Sequence, residues 1–554
     1  MKYFLIFFLI LQISVAQTLS ISINENTYGI DQTNLIIVSQ FKNIADYNDL
    51  SNYSDITIVF NGENYQFLQI PKSLRFGTKY ILTKNSNEYN LFFTSLPIIS
   101  INTSNNIEDE PKVSANYTYS DNEQIVNSII GIELRGGVSQ SFPKKTYDLE
   151  FWTDETGDNS QNFQFGNLRN DDDWVLDALY NEPLRIRSYI AHKLWLSIHQ
   201  PYYLEDEENA KSGADVLFTE LFLNNIYTGI YLLSEQIDKK LLQLKSFNGN
   251  IRGELYKGFT WGNSTYSELP NFDNNDRIWG GFEMKYPKES QITNWGNLYN
   301  YIDFAINSDN ETFEGEIWSK FNKENCIDYF LFLNLIRATD NTGKNIYVAK
   351  YKTNELYFNV PWDLDGHLGT IWNGENDSTT DDILQNGLYY RLLNENPQNF
   401  NQDLRTRWFE LRNDILSNLN LRNYISEAYT TLNSNNVFER ESIVFPNYPF
   451  DVTSLNYMNN WLDERLIFLD NYFNILTIFD NEILSSKIYP VPSKNIVNFN
   501  FESSNLLEYS IFSIDGKLIF KDKFKKSHTI NINNLKIGVY FVHIENKIFK
   551  IIKI

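Results

Sequence analysis

The 554-residue chain has a single cysteine, Cys326, so a disulfide within the chain is excluded. Five histidines and that one cysteine also argue against a structural zinc site. Basic residues are short: 47 Lys and Arg face 70 Asp and Glu, giving a net charge of −23. That balance argues against nucleic acid as a partner. No long apolar run follows the N-terminus, so no transmembrane segment is expected in the mature chain. Cys326 sits in the apolar run Asn325–Leu331, the expected start of a buried helix, where a packed thiol is expected rather than a nucleophile.

Aromatic residues are plentiful, with 40 Phe, 35 Tyr and 11 Trp, and the length predicts two to four domains. Residues 1–16 read as a signal peptide. Lys2 supplies the charge, Tyr3–Val15 the apolar run, and Ser14-Val15-Ala16 the small residues before cleavage at Gln17. The run is shorter than the roughly 20 residues of a bilayer span. From Ser486 to Ile554 the charge is +6, which leaves −29 for the rest and marks residues 486–554 as a separate module.

Residues 17–95 read as β-rich, with strands at Asn34–Val38 and Ile56–Phe60 and a turn at Asn61-Gly62. From Leu96 to Tyr286 strands dominate, with one helix over Leu184–Ile198. Strand Ile129–Leu134 runs into Arg135-Gly136-Gly137, and Thr146–Phe151 follows. From Thr293 to Phe473 the period is helical, with an embedded strand pair at Ile346–Lys350 and Glu355–Val360. Residues 488–554 return to about seven short strands of a β-sandwich. The fold class is α+β, with a β-rich half and a helical half that suggest two lobes.

Four segments carry candidate chemistry. The turn Arg135–Ser139 can lay backbone N–H groups on a phosphate, with Lys144-Lys145 just beyond it; a plain hairpin with a basic edge is the alternative. Asp340 and Asn345 stand five positions apart, the spacing of a kinase catalytic loop, although a solvated loop also fits. Asp363 and Asp365 follow a strand and offer the hard oxygen ligands that Mg²⁺ prefers; a charged turn is the plainer reading. The hairpin Asn224–Glu235, with its turn set by Asn225-Ile226 and Gly229, ends in Glu235, which either touches a nucleotide or pairs with a basic residue.

In this order, the segments resemble the CotH kinase-like family. The resemblance rests on Arg135–Ser139 with Lys145-Thr146-Tyr147, on Trp174-Val175-Leu176 leading to Arg185 and Arg187, on Asn224–Glu235, on Asp340–Asn345 and on Trp362–Asp365. It implies an atypical two-lobed protein-kinase-like domain over residues 96–475. That domain would use ATP with Mg²⁺ or Mn²⁺ to phosphorylate hydroxyls of an unidentified protein acceptor. By position, Asp340 is the implied catalytic carboxylate. Asn345, Asp363 and Asp365 are the implied metal ligands, and Arg135, Lys145, Arg187 and Glu235 the nucleotide contacts. Val138 departs from the pattern, standing where a hydroxyl residue is usual. The alternative is a catalytically weak or inactive kinase-like protein with a structural or adhesive role at the cell surface.

The tail resembles the type IX secretion sorting domain of Bacteroidetes. The matching residues are Tyr489–Ser493, Ile514–Lys517 and Leu535–Val542, with Val491 in place of the usual Asn. This implies the secretion machinery as a partner and a secreted or cell-surface location, reached through the periplasm.

Overall fold

A computed structural model describes residues 17–554, apart from 448–449, 477–485, 490, 502–505, 515, 526 and 545–546. The expected signal peptide therefore lies outside the described residues, as do Pro490 and Asp515 of the tail motifs.

The N-terminal segment alternates apolar and polar residues and pairs into a mixed seven-stranded sheet. Its strands are β1 (Gln17–Ser22), β2 (Tyr28–Asp31), β3 (Ile36–Gln40), β4 (Tyr53–Phe60), β5 (Glu63–Phe67), β6 (Lys79–Lys84) and β7 (Asn87–Thr94), in the order β1-β4-β5-β6-β7-β3-β2. Asn61 and Gly62 both have positive φ and close the two-residue turn between paired Phe60 and Glu63. Ile37, Ile58, Leu82 and Leu91 are buried in its core.

Seven further strands close into a barrel. They are β8 (Ile98–Asn102), β9 (Val113–Ser120), β10 (Ile125–Arg135), β11 (Thr146–Trp152), β14 (Asp173–Asp177), β15 (Val216–Leu223) and β16 (Ile226–Glu235), in the order β10-β11-β14-β16-β15-β8-β9. A small hairpin, β12 (Phe163–Gln164) and β13 (Asn170–Asp171), is inserted before β14. Alternate residues such as Ile130, Ile132, Leu149, Phe151, Trp174 and Leu176 share one buried cluster.

Two local expectations change. The β15–β16 turn is Asn224-Asn225, both left-handed and flanked by paired Leu223 and Ile226. Asn tolerates this backbone better than Ile would. Gly229 instead faces the bulge where the register shifts between Leu221 and Phe222. Helix α1 spans Arg187–Ile198 and not Leu184–Ile198. Arg185 has φ +61, and the Glu182 carboxylate takes the N–H groups of Leu184 (2.8 Å) and Ile186 (2.5 Å), so the chain turns there before it coils.

A five-stranded sheet follows, from β17 (Glu254–Gly258), β18 (Ile278–Trp279), β19 (Phe282–Tyr286), β20 (Ile346–Lys350) and β21 (Tyr357–Pro361), in the order β18-β19-β17-β20-β21. Helices α2 (Gly296–Asn307), α3 (Asn310–Glu316) and α4 (Lys323–Ile336) lie in sequence between β19 and β20. After β21 come α5 (Gly387–Glu395), α6 (Phe400–Arg412), α7 (Asn418–Ser434), α8 (Val437–Val444) and α9 (Thr453–Leu476). Helix α4 is buried nearly all round, and burial pushes the Cys326 thiol up to about 12, leaving it packed and protonated.

Residues 399–408 and 469–554 form a compact unit of their own. Its strands are β22 (Ser486–Tyr489), β23 (Ile496–Phe501), β24 (Leu507–Ser513), β25 (Leu518–Phe524), β26 (Ser527–Asn531), β27 (Gly538–Ile544) and β28 (Lys547–Lys553). They make a three-stranded and a four-stranded sheet around one core that includes Phe499, Tyr509, Ile511 and Val542. Among the described residues, no helix is long and apolar enough to cross a membrane.

Candidate active site

The site begins where buried α4 ends. Arg337 caps the helix in the left-handed conformation and pairs with Asp377 (2.6 Å) and Asp382 (2.8 Å). A short 3-10 turn, Asp340–Thr342, follows. Tyr329 of α4 donates to the Asn341 carbonyl at 2.8 Å. The Asn341 amide then donates to the carbonyls of Asn345 (2.9 Å) and Trp362 (2.8 Å). One side chain thus ties the Asp340 turn to the loop that carries Asp363 and Asp365.

The strand pair completes the frame. Ile346 pairs with Pro361, so Asn345 and Trp362 sit at the same end of β20 and β21. Trp362 N–H donates to Asn345 O (3.1 Å), and Asn345 N–H donates to Gly258 O (3.0 Å). Asn345 (φ +58) and Asp363 (φ +56) are both left-handed. Non-glycine residues in that region are uncommon and cluster at functional sites. Gly258 is required here, because a Cβ on it would collide with the Gly343 carbonyl.

Four carboxylates act on one another at this end of the sheet. Burial pushes the Asp365 carboxyl well above the ordinary carboxylate range, and Asp363, Asp177 and Asp340 push it further. Burial also raises Asp340, with Lys344 opposing and Asp363 adding to the rise. Asp177, the last residue of β14, is raised by burial and by Asp363, while the Leu179 N–H, Arg135 and Lys144 oppose. Among the described residues, the carboxylates of Asp340 and Asp363 take part in no ion pair and accept no hydrogen bond. Like charges that raise one another's pKa in this way favour a bound cation or a proton.

The cations are arranged unevenly. The Arg135 guanidinium stacks on the Trp362 ring at 4.8 Å and lies 3.9 Å from Asp148. Lys145 donates to Gln140 O at 2.6 Å, within the turn that follows Gly136. Arg187 is fully buried, paired with Glu182 and donating to Leu368 O at 3.3 Å, so it braces the Asp365 loop from behind. Glu235 is fully buried and accepts from Lys211 (2.6 Å), Arg169 N (2.6 Å) and Asp215 N (2.9 Å). Asp340, Asn345, Asp363, Asp365 and Arg135 thus come together, whereas Arg187, Glu235 and Lys145 are engaged in internal contacts. Val138 is 54% exposed, so its side chain lies largely at the surface.

Sequence reasoning passed over two members. Asp177 directly follows the buried run Trp174-Val175-Leu176, the same strand-then-carboxylate pattern that marked Asp363, and that signal was legible. Lys257 lies on β17 within the influence of Arg135 and Asp363, and no local pattern announced it.

Oxygen donors predominate among the residues brought to this end of the sheet: the carboxylates of Asp177, Asp340, Asp363 and Asp365, with Asn345 joined to Trp362 through the backbone. That donor set suits a hard divalent cation and not a soft one. No curated protein matches the chain. The family model described as CotH kinase protein matches residues 132–469, and the one described as secretion system C-terminal sorting domain matches residues 487–554. The sorting domain indicates export to the cell surface or beyond and an interaction with the secretion machinery. The first match spans more than half of the chain and takes in every residue of the site, so the chain belongs to the CotH kinase protein family.

Proposed function

We propose that residues 96–475 form a kinase-like domain of two lobes that transfers a phosphoryl group from ATP to a protein hydroxyl outside the cytoplasm. The observation that carries this reading is the meeting of Asp340, Asp363 and Asp365, with Asp177, around carboxylates that the fold leaves largely unpaired. Like charges grouped in this way oppose one another's ionisation unless a ligand compensates them. Asp363, Asp365 and the Asn345 amide oxygen would hold Mg²⁺ or Mn²⁺, which supplies neutralisation of phosphate charge when bound. Asp340 would orient the acceptor hydroxyl and take its proton on a carboxylate oxygen, as the Asp of a kinase catalytic loop does. The burial that raises its pKa also makes it a better base than an ordinary aspartate. Arg135, fixed on Trp362, would face the phosphates. Arg187 and Glu235 would hold the loops and not the nucleotide. The first 16 residues would direct export as a cleaved signal peptide, and the tail points to a type IX route of the kind found in Bacteroidetes.

The test is a thermal shift of the full chain with Mg²⁺-ATP and Mn²⁺-ATP, followed by transfer of labelled γ-phosphate to exported proteins. Stabilisation and transfer support the reading. Stabilisation with no transfer to any acceptor favours a kinase-like structural role, for which exposed Val138 in place of a hydroxyl is the motivating feature. No stabilisation by either nucleotide complex overturns nucleotide binding.

A further inference from the structure

The cations of this fold that are fully buried have anionic partners. Lys144 and Arg185 pair with Glu441, Arg187 with Glu182, Arg440 with Glu220 and Arg465 with Asp382. Lys257, which is half-buried, differs from them. It is only partly exposed, yet among the described residues its ammonium makes no ion pair and no hydrogen bond. Its cross-strand neighbour Glu283 is taken by Lys285 at 2.9 Å.

Register shows where Lys257 points. It stands opposite Tyr347 on β20, so the two side chains share a face of the sheet. Tyr347 meets the Trp362 ring edge-on at 6.5 Å, and Arg135 stacks on that same ring at 4.8 Å. Lys257, Tyr347, Trp362 and Arg135 therefore line one wall, and Asp363 follows Trp362 directly. Burial lowers the pKa of Lys257, Arg135 lowers it further and Asp363 partly restores it. Two cations that influence one another beside a cluster of carboxylates match the charges of a polyanion together with its metal.

We propose that Lys257, with Arg135, grips the phosphates of the nucleotide, and that Lys145 instead braces the glycine turn through Gln140. This assignment rests on the phosphotransfer reading above. It explains why a half-buried lysine is left without a partner, and why Lys145 is already bonded to a carbonyl.

The test uses the full chain with Mg²⁺, and compares ATP with adenosine, which lacks phosphates. Lys257→Met should weaken ATP binding about tenfold or more and leave adenosine binding unchanged. Lys257→Arg should keep ATP affinity within about threefold of wild type, and Lys145→Met within about twofold. Melting curves without ligand check that each variant is folded. Wild-type affinity for ATP in Lys257→Met, or an equal loss for adenosine, overturns the proposal while the phosphotransfer reading stands. A larger loss in Lys145→Met than in Lys257→Met overturns it as well. A wild-type chain that binds no ATP overturns both together.

Discussion

Lys144, in the connection between β10 and β11, and Glu441 of α8 form an ion pair of 2.7 Å from which water is almost wholly excluded. Glu441 also accepts from Arg185 Nε (2.8 Å) and from the Ile230 N–H (2.8 Å). Burial would raise the Glu441 carboxyl, but Arg185 and Lys144 outweigh it and hold the group at about 2. Burial likewise lowers Lys144 to about 8, against the pull of Glu441. Removing one partner leaves a buried charge without its counterion, so Glu441→Gln should cost about 3–5 kcal/mol in a urea melt at pH 7. The carboxyl lies lower in the fold than in the unfolded chain. Its contribution is therefore complete above about pH 4.5 and fades as pH falls towards 2. The stability gap between wild type and variant should narrow over that window. A gap that is constant from pH 7 to pH 3 would count against this account.

Gly229 follows from the same contact. Its φ is +90, and a Cβ there would collide with the Glu441 carboxylate. Gly229→Ala should destabilise the chain by about 2 kcal/mol or more, through the strained backbone and the displaced carboxylate. In the Glu441→Gln background the two losses should sum to more than the double variant shows, since both act on one contact. Strict additivity in a double-mutant cycle would refute the coupling.

The legible and illegible parts of this molecule differ in how local their causes are. The strand pair around Asn345 and Trp362 could be read because alternation and turn residues are short-range signals. So could the order of Asp340, Asn345, Asp363 and Asp365. Glu441 could not be read. Its role depends on a helix more than two hundred residues from the β15–β16 hairpin, and nothing beside it in sequence says that it will be buried between Lys144 and Arg185. Lys257 is similar: its meaning comes from strand register against Tyr347. Gly229 was legible as special but not as a bulge residue, because a turn and a bulge both ask for positive φ.

The Asp365 carboxylate, crowded by Asp363, Asp177 and Asp340, should cost stability when no ligand is present. Burial, with Asp363, Asp177 and Asp340, raises its pKa in the fold, so its ionised form is disfavoured there relative to the unfolded chain. Asp365→Asn removes the charge and keeps the shape. The ligand-free variant should melt higher than wild type by a few degrees, roughly the effect of 1 kcal/mol or more. It should also lose the extra stabilisation that Mg²⁺-ATP gives the wild type. A ligand-free variant that melts lower than wild type would mean that Asp365 is a structural group and not a strained ligand.

Asp340 and Asp363 should separate by function. Asp340 lies in the 3-10 turn after α4, where Lys344 is the one cation that opposes its raised pKa. Asp363 sits on a left-handed backbone and reaches Asp177, Asp340, Asp365 and Lys257 through its charge. If Asp340 moves the proton of the acceptor, Asp340→Asn should bind Mg²⁺-ATP about as well as wild type and lower phosphoryl transfer by about 10²–10⁴-fold. If Asp363 holds the cation, Asp363→Asn should weaken metal-dependent ATP binding as well as transfer. Raising the Mg²⁺ or Mn²⁺ concentration should restore part of the loss in Asp363→Asn and none of it in Asp340→Asn. Titrating metal against transfer rate in the two variants separates the roles. Equal rescue of both would show that the two carboxylates act on the same bound species, and the division between base and ligand would then fall.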